Sequence, residues 1–202
     1  MTILWYNIVT HKGGNMAKIV LISGKAESGK DTVANILMRK CMSEVCYNLH
    51  IAGNVKRIAR ESFGWDGLKD ERGRALLQLI GDGGRTYNPD IWIDEFLLDL
   101  DTILYQNLGV DFFVVVPDVR YKNEVIKLLD WGHKNNVEVY SVRVERPQHK
   151  SKLTKEQLLN SSETDLDNWG FWDVEIINDS TKENLEHSVL NTLEVLGIDY
   201  KP

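Results

Sequence analysis

The nine residues Gly24-Lys25-Ala26-Glu27-Ser28-Gly29-Lys30-Asp31-Thr32 carry the most specific chemistry in the chain. They match the spacing G-x-x-x-x-G-K, follow a short apolar, β-branched run (Ala17 to Ser23) and precede a helical pattern. In that context the backbone N–H groups and the helix N-terminus wrap the β- and γ-phosphates of a nucleotide, and Lys30 adds a point charge. Lys30 is expected to be a surface charge of the loop. Asp31 stands where a Ser or Thr hydroxyl normally ligates Mg²⁺. A carboxylate beside a triphosphate repels it unless a metal or water intervenes, so Asp31 is a candidate metal contact.

Three further groups could serve phosphoryl transfer. Lys69, Arg72, Arg74 and Arg85 form a basic cluster in an acidic protein, interleaved with Phe63, Trp65, Tyr87 and Trp92, whose faces could stack on a base. Arg74 and Gln78 share a helix face, and Gln78 could read a base edge. Asp118 lies just beyond a buried strand, where open α/β sheets bind ligands. It could order Mg²⁺-bound water, or simply cap the next helix, while Arg120 could take a phosphate oxygen. Finally, Arg146 directly follows a strand and leads into a basic stretch with His149, Lys150, Lys152 and Lys155.

These motifs resemble those of the phage-type deoxynucleoside monophosphate kinases, within the wider P-loop nucleoside monophosphate kinase superfamily. The loop Gly29-Lys30-Asp31-Thr32 is similar to theirs, and to that of phosphomevalonate kinases. The segment from Phe63 to Trp92 resembles their acceptor-binding region, and Asp118 to Glu124 their Asp-x-Arg-x-x-Asn-Glu stretch. Residues from about 146 to 165 look like their lid. Ser162-Glu163 is similar to their Ser-Glu pair, but the His two residues before it is Asn160 here.

The resemblance covers residues 16 to 197 and implies transfer of the γ-phosphoryl of ATP, with Mg²⁺, to a (deoxy)nucleoside 5′-monophosphate. Lys30, Asp118, Arg120 and Arg146 would be catalytic, and residues 24–32 would bind ATP. Lys69, Arg72, Arg74, Gln78, Arg85 and Trp92 would bind the acceptor, and Asp31 and Asp118 would meet the metal through water. Phosphate monoesters are largely ionised at pH 7, so no general base is needed. A kinase for another small phosphorylated acceptor and a non-catalytic ATP-binding module are the alternatives. A homodimer stays open.

The elements that must position these groups alternate. Strand-like runs at Ala17–Ser23, Tyr47–Ala52, Asp111–Val116, Val137–Val144 and Asp173–Ile177 are separated by helical stretches. The helices are expected at Lys30 to about Cys46, Val55–Phe63, Glu71–Ile80, from Asn88-Pro89 onward, Tyr121–Trp131, and from a capping box at Ser180–Glu183 to near Gly197. Apolar strands joined by helices imply an α/β, doubly wound parallel sheet of about five strands. Residues 16–202 read as one domain, with the acceptor segment at about 53–92. Residues 1–15 read as a dispensable extension.

The chain has 202 residues and a net charge of −6. Ten acids against two lysines give −8 for residues 161–202, which leaves +2 for residues 1–160, where an anionic ligand would sit. The overall acidity argues against nucleic-acid binding. No apolar run approaches the roughly 20 residues of a membrane span, and the N-terminus shows no signal-peptide pattern. Cys41 and Cys46 read as lying on different faces of one helix, unpaired, as suits a reducing cytoplasm.

Overall fold

The computed structural model describes residues 17–149 and 151–201; residues 1–16, with the expected N-terminal extension, Lys150 and Pro202 lie outside them. Five strands form one parallel sheet: β1 (Lys18–Ser23), β2 (Val45–Asn48), β3 (Phe112–Val119), β4 (Glu138–Glu145) and β5 (Val174–Ile177), in the order β2-β3-β1-β4-β5. The expected α/β, doubly wound class is observed. Each strand crosses to the next through helix: α1 (Lys30–Lys40), α2 (Gly53–Phe63), α3 (Glu71–Tyr87), α4 (Ile91–Gln106), α5 (Lys122–Asn135), the short α6 (Lys155–Leu159) and α7 (Ser161–Thr164), and α8 (Lys182–Val195).

The strand period of two splits the core between the sheet faces. Ile19, Leu21, Phe112, Val114 and Val116 point to one face, beneath α4, α5 and the start of α2. Val20, Ile22, Phe113, Val115, Val142 and Val144 point to the other, beneath α1 and α8. Sites at the C-terminal ends of β1, β3 and β4 are therefore framed by rigid, dry layers.

Several boundaries differ from expectation. Helix α1 stops at Lys40, because Cys41 takes an extended conformation and Val45, Cys46 and Tyr47 pair with β3 as an edge strand. Cys41 at the helix end and Cys46 on β2 consequently meet and form a disulfide, with their Cα atoms 7.0 Å apart. The expectation of unpaired thiols is wrong, and with it goes the argument for a reducing compartment. Among the described residues no helix is long and apolar enough to cross a membrane.

Helix α3 runs on to Tyr87 through Gly81, Gly83 and Gly84, past the expected stop at Ile80. Gly84 is needed there, because a Cβ would strike the Trp92 ring. Helix α4 starts at Ile91 behind Asp90 rather than at Asn88-Pro89. The cap of α8 is Thr181, accepting from Asn184 N–H at 3.2 Å, one residue later than the expected box. Strand β3 continues through Pro117 because the β1–β3 register shifts there, at a position that asks no N–H of the proline.

Candidate phosphate-binding site

The loop between β1 and α1 has the shape its glycines demand. Gly29 adopts φ +101°, and a Cβ there would strike the Asn178 side chain, which donates to Ser28 O at 2.8 Å. A Cβ on Gly24 would lie 2.5 Å from both Ser28 Oγ and Val144 O. Glu27 also has a left-handed φ of +64°, a conformation that costs about 1 kcal/mol or more for a residue with a Cβ. Its carboxylate lies 3.0 Å from His149 Nε2, accepts from Lys152 N–H at 3.2 Å and lies 3.9 Å from Arg74 Nη2. The His149 contact, then the Lys152 N–H, hold its pKa below the ordinary value.

Lys30 is not the expected surface charge. It is 8% exposed, and Nζ donates to Lys25 O at 3.2 Å. Burial pushes its pKa down to about 7 and the nearby Arg120 adds to the fall, against the pull of Asp31 and Glu163. The Ser28 hydroxyl is buried without a hydrogen-bond partner among the described residues. A buried cation and an unpartnered hydroxyl at the N-terminus of an 11-residue helix are the features of an anion site.

Lys30 opens onto a cavity of about 290 Å³. The loop contributes Ala26, Glu27 and Asp31 to it, α2 contributes Val55 and Lys56, and α3 contributes Arg74, Leu77, Gln78, Gly81, Asp82 and Arg85. Lys69, just before α3, also lines it. The end of β3 and the start of α5 supply Asp118, Arg120, Tyr121 and Glu124, and the region near α7 supplies Ser162 and Glu163. A second recess of about 430 Å³ lies on the other side of the loop, between Lys25, Ser28, Arg143, Arg146, Pro147 and His149. The structure thus brings Lys30, Asp31, Lys69, Arg74, Gln78, Arg85, Asp118 and Arg120 to one cavity and places Arg146 in the recess behind it.

Two of the expected acceptor residues lie elsewhere. Trp92 is 6% exposed, packs in the core and donates its indole N–H to Gly81 O at 3.0 Å. Arg72 is exposed and outside the cavity, because the 100° helical step turns it away from Arg74. Phe63 and Tyr87 are also exposed; among the described residues the rings lining the cavity are Tyr121 and the His50 imidazole.

Asp118 does not cap α5. The register shift at Pro117 swings its carboxylate toward the β2–α2 connection, where it accepts from Ile51 N–H at 2.9 Å and Ala52 N–H at 3.2 Å. Lys56 Nζ is 3.8 Å away, and His50 Nδ1 is 3.3 Å away but poorly aligned for a hydrogen bond. Burial opposes its charge, yet His50, Lys56 and the Ile51 N–H together hold the pKa below the ordinary value. Its oxygens are committed to protein donors. Asp31, whose carboxylate has no such partners among the described residues, fits a phosphate-borne Mg²⁺ better; Mg²⁺ commonly uses only one or two carboxylates beside phosphates and water.

Two acids named in the sequence only through the resemblance, with no role assigned, tie the cavity together. Glu124 is buried and accepts from Arg120 N–H at 2.8 Å and Tyr121 N–H at 3.1 Å, which is the true cap of α5. It also pairs with Arg85 at 3.3 Å, and Arg85 lies over the Tyr121 ring at 3.8 Å. Burial pushes Glu124 up to about 7 against these favourable partners. Glu163, 6% exposed at its side chain, pairs with Arg120 at 2.9 Å. The acid at the end of Asp-x-Arg-x-x-Asn-Glu was the available signal for Glu124.

No protein-family model and no curated protein matches the chain by sequence. Solved structures do match by shape. The tunicamycin resistance protein of Deinococcus radiodurans superposes with a TM-score of 0.52 at 13% identity, covering 92% of this chain and 99% of that one. An APS kinase of Mycobacterium tuberculosis, solved with AMPPNP and APS, gives 0.49 at 12% identity over 90% and 98% of the two chains. The likeness to the tunicamycin resistance protein is one of fold, a parallel sheet flanked by helices.

Proposed function

We propose that the protein is an ATP-dependent kinase whose acceptor is a nucleoside 5′-monophosphate. One observation carries this reading. Lys30 of the phosphate loop, Arg74 and Arg85 of α3, and Arg120 at the end of β3 converge on one cavity of about 290 Å³. The 430 Å³ recess with Lys25, Arg143 and Arg146 is assigned to the donor. Catalysis is then positioning and charge neutralisation, with no general base.

Lys30 and the loop amides hold the donor phosphates, and Arg120 spreads over the transferred group. Arg74 and Arg85 orient the acceptor phosphate, with Lys69 at the rim. Leu77, Val55 and Ile51 offer apolar walls to a base, and Gln78 offers a polar edge. Mg²⁺ arriving with the triphosphate would sit near Asp31 and neutralise phosphate charge.

A second reading has its own support. Of the two rings lining the cavity among the described residues, Tyr121 already has Arg85 over it and His50 lies against Asp118, while Trp92 is in the core. A phosphorylated acceptor without a base, such as phosphomevalonate, needs no stacking surface. An ADP-release assay with ATP, Mg²⁺ and a panel of NMPs, dNMPs and phosphomevalonate tests both. Turnover with at least one nucleotide supports the first reading. Turnover with phosphomevalonate alone supports the second, and ATP binding without turnover on any acceptor refutes both.

A further inference from the structure

We infer that Glu163 is a positioning residue that sets the phosphate loop and Arg120 in register. It rests on the reading above that Arg120 meets the transferred phosphoryl group. The two carboxylate oxygens do different things. Oε2 accepts the N–H of Ala26, inside the loop, at 2.9 Å. Oε1 takes the guanidinium of Arg120, at the end of β3, at 2.9 Å. One side chain therefore fixes a main-chain group on the donor side and a cation at the cavity, from a helix that belongs to neither.

The helix carrying Glu163 is itself held. Arg120 Nη1 donates also to Ser162 O at 3.3 Å, and Asn160 accepts from Ser162 N–H at 2.9 Å. Asn160 in turn donates to Asp82 of α3 at 2.7 Å, which ties the anchor to the acceptor wall. A charge-assisted pair this buried has a defined geometry, and removing one partner leaves the other unpaired. Arg120 without Glu163 keeps its charge but loses the contact that aims it.

The two oxygens can be tested apart. Glu163→Gln keeps an acceptor for the Ala26 N–H and removes the ion pair, so kcat is expected to fall by about tenfold or more, the worth of one aimed donor, with the ATP KM nearly unchanged. Glu163→Ala removes both contacts and is expected to weaken AMPPNP binding as well, by about fivefold or more for one lost hydrogen bond. In an Arg120→Ala background, Glu163→Gln is expected to cost nothing further, because residues acting through one another are not additive.

Wild-type kcat in Glu163→Gln, or a full multiplicative loss in the double variant, overturns the inference. Should the wild type turn over no acceptor, the functional reading fails on its own. AMPPNP titration still decides the loop half: weaker binding by Glu163→Ala than by Glu163→Gln upholds it, and equal binding by wild type and both variants overturns it. Melting curves for each variant separate misfolding from misplacement, and Glu163→Asp, charged but shorter, replaces any variant that fails to fold.

Discussion

Replacing Lys30 by Met should make the empty protein more stable while removing its chemistry. The Lys30 side chain is 8% exposed and its pKa falls from 10.5 to about 7, chiefly through burial. In the unfolded chain the ammonium keeps its proton up to about pH 10.5, whereas the folded protein releases it near 7. The unfolded state binds more protons between those values, so stability rises with pH across that window. At 1.36 kcal/mol per unit, holding Lys30 opposes folding by about 5 kcal/mol at pH 6, about 4 at pH 7.5 and about 2 at pH 9.

Met keeps most of the apolar stem and carries no charge. It loses the bond to Lys25 O, worth about 1 kcal/mol, so the net gain at pH 6 is on the order of 2–4 kcal/mol. The assay is urea unfolding of both proteins at pH 6, 7.5 and 9. The advantage of Lys30→Met should shrink by about 3 kcal/mol across the series, while phosphoryl transfer falls by about 10²-fold or more for want of the loop cation. A variant less stable than wild type at pH 6, or a gap that does not change with pH, refutes the reasoning.

Arg85→Ala should raise the acceptor KM about ten- to hundredfold and also destabilise the fold, because Glu124 is left buried beside it. Glu124 titrates near 7, raised above its unfolded value, so the carboxylate accepts a proton as pH falls through 7; the stability loss should be smaller at pH 6 than at pH 8, and a pH-independent loss counts against this. Asp118→Asn should cost about 1–3 kcal/mol by weakening the start of α2 without moving the Mg²⁺ midpoint of turnover; a shifted midpoint would restore Asp118 to the metal. Reduction of Cys41–Cys46, which closes a six-residue loop, should cost about 2 kcal/mol of stability, read as a lower Tm with reductant and two titratable thiols; an unchanged Tm speaks against the bond.

What was legible in the sequence was what local physics determines alone. Gly24 and Gly29 are needed where a Cβ would collide, and that need produces a pattern in one dimension. The central strands β1 and β3 are apolar on both faces and likewise declare themselves, whereas the half-exposed edge strand β2 reads in part as the end of a helix. Arg74, Gln78 and Arg85 fell on the cavity side of α3 because the 3.6 period carries them there. The same period placed Arg72 outside.

The rest depended on partners distant in sequence. Lys30 looked like a surface charge because loops usually are exposed; in the folded chain it is buried, with Arg120 and Glu163, distant in sequence, near enough to shift its pKa. Trp92 has the residue type of a stacking platform, but Gly84 leaves a gap that only its ring fills, and packing decided its place. Asp118 was located at the right sheet edge, yet its role turned on the shift at Pro117, which no spacing rule announces. The pairing of the acids was the least legible, although Glu124 and Glu163 stand in motifs of the resemblance and Glu27 in the loop. Glu124, Glu163 and Glu27 each pair with a cation of the cavity, and a carboxylate aimed at an arginine reads in sequence like any solvated charge. The Glu124–Arg85 and Glu163–Arg120 pairs fix two arginines before any phosphate arrives, which gives the cavity its specific geometry at the cost of affinity, since an incoming phosphate must compete with a carboxylate already in place.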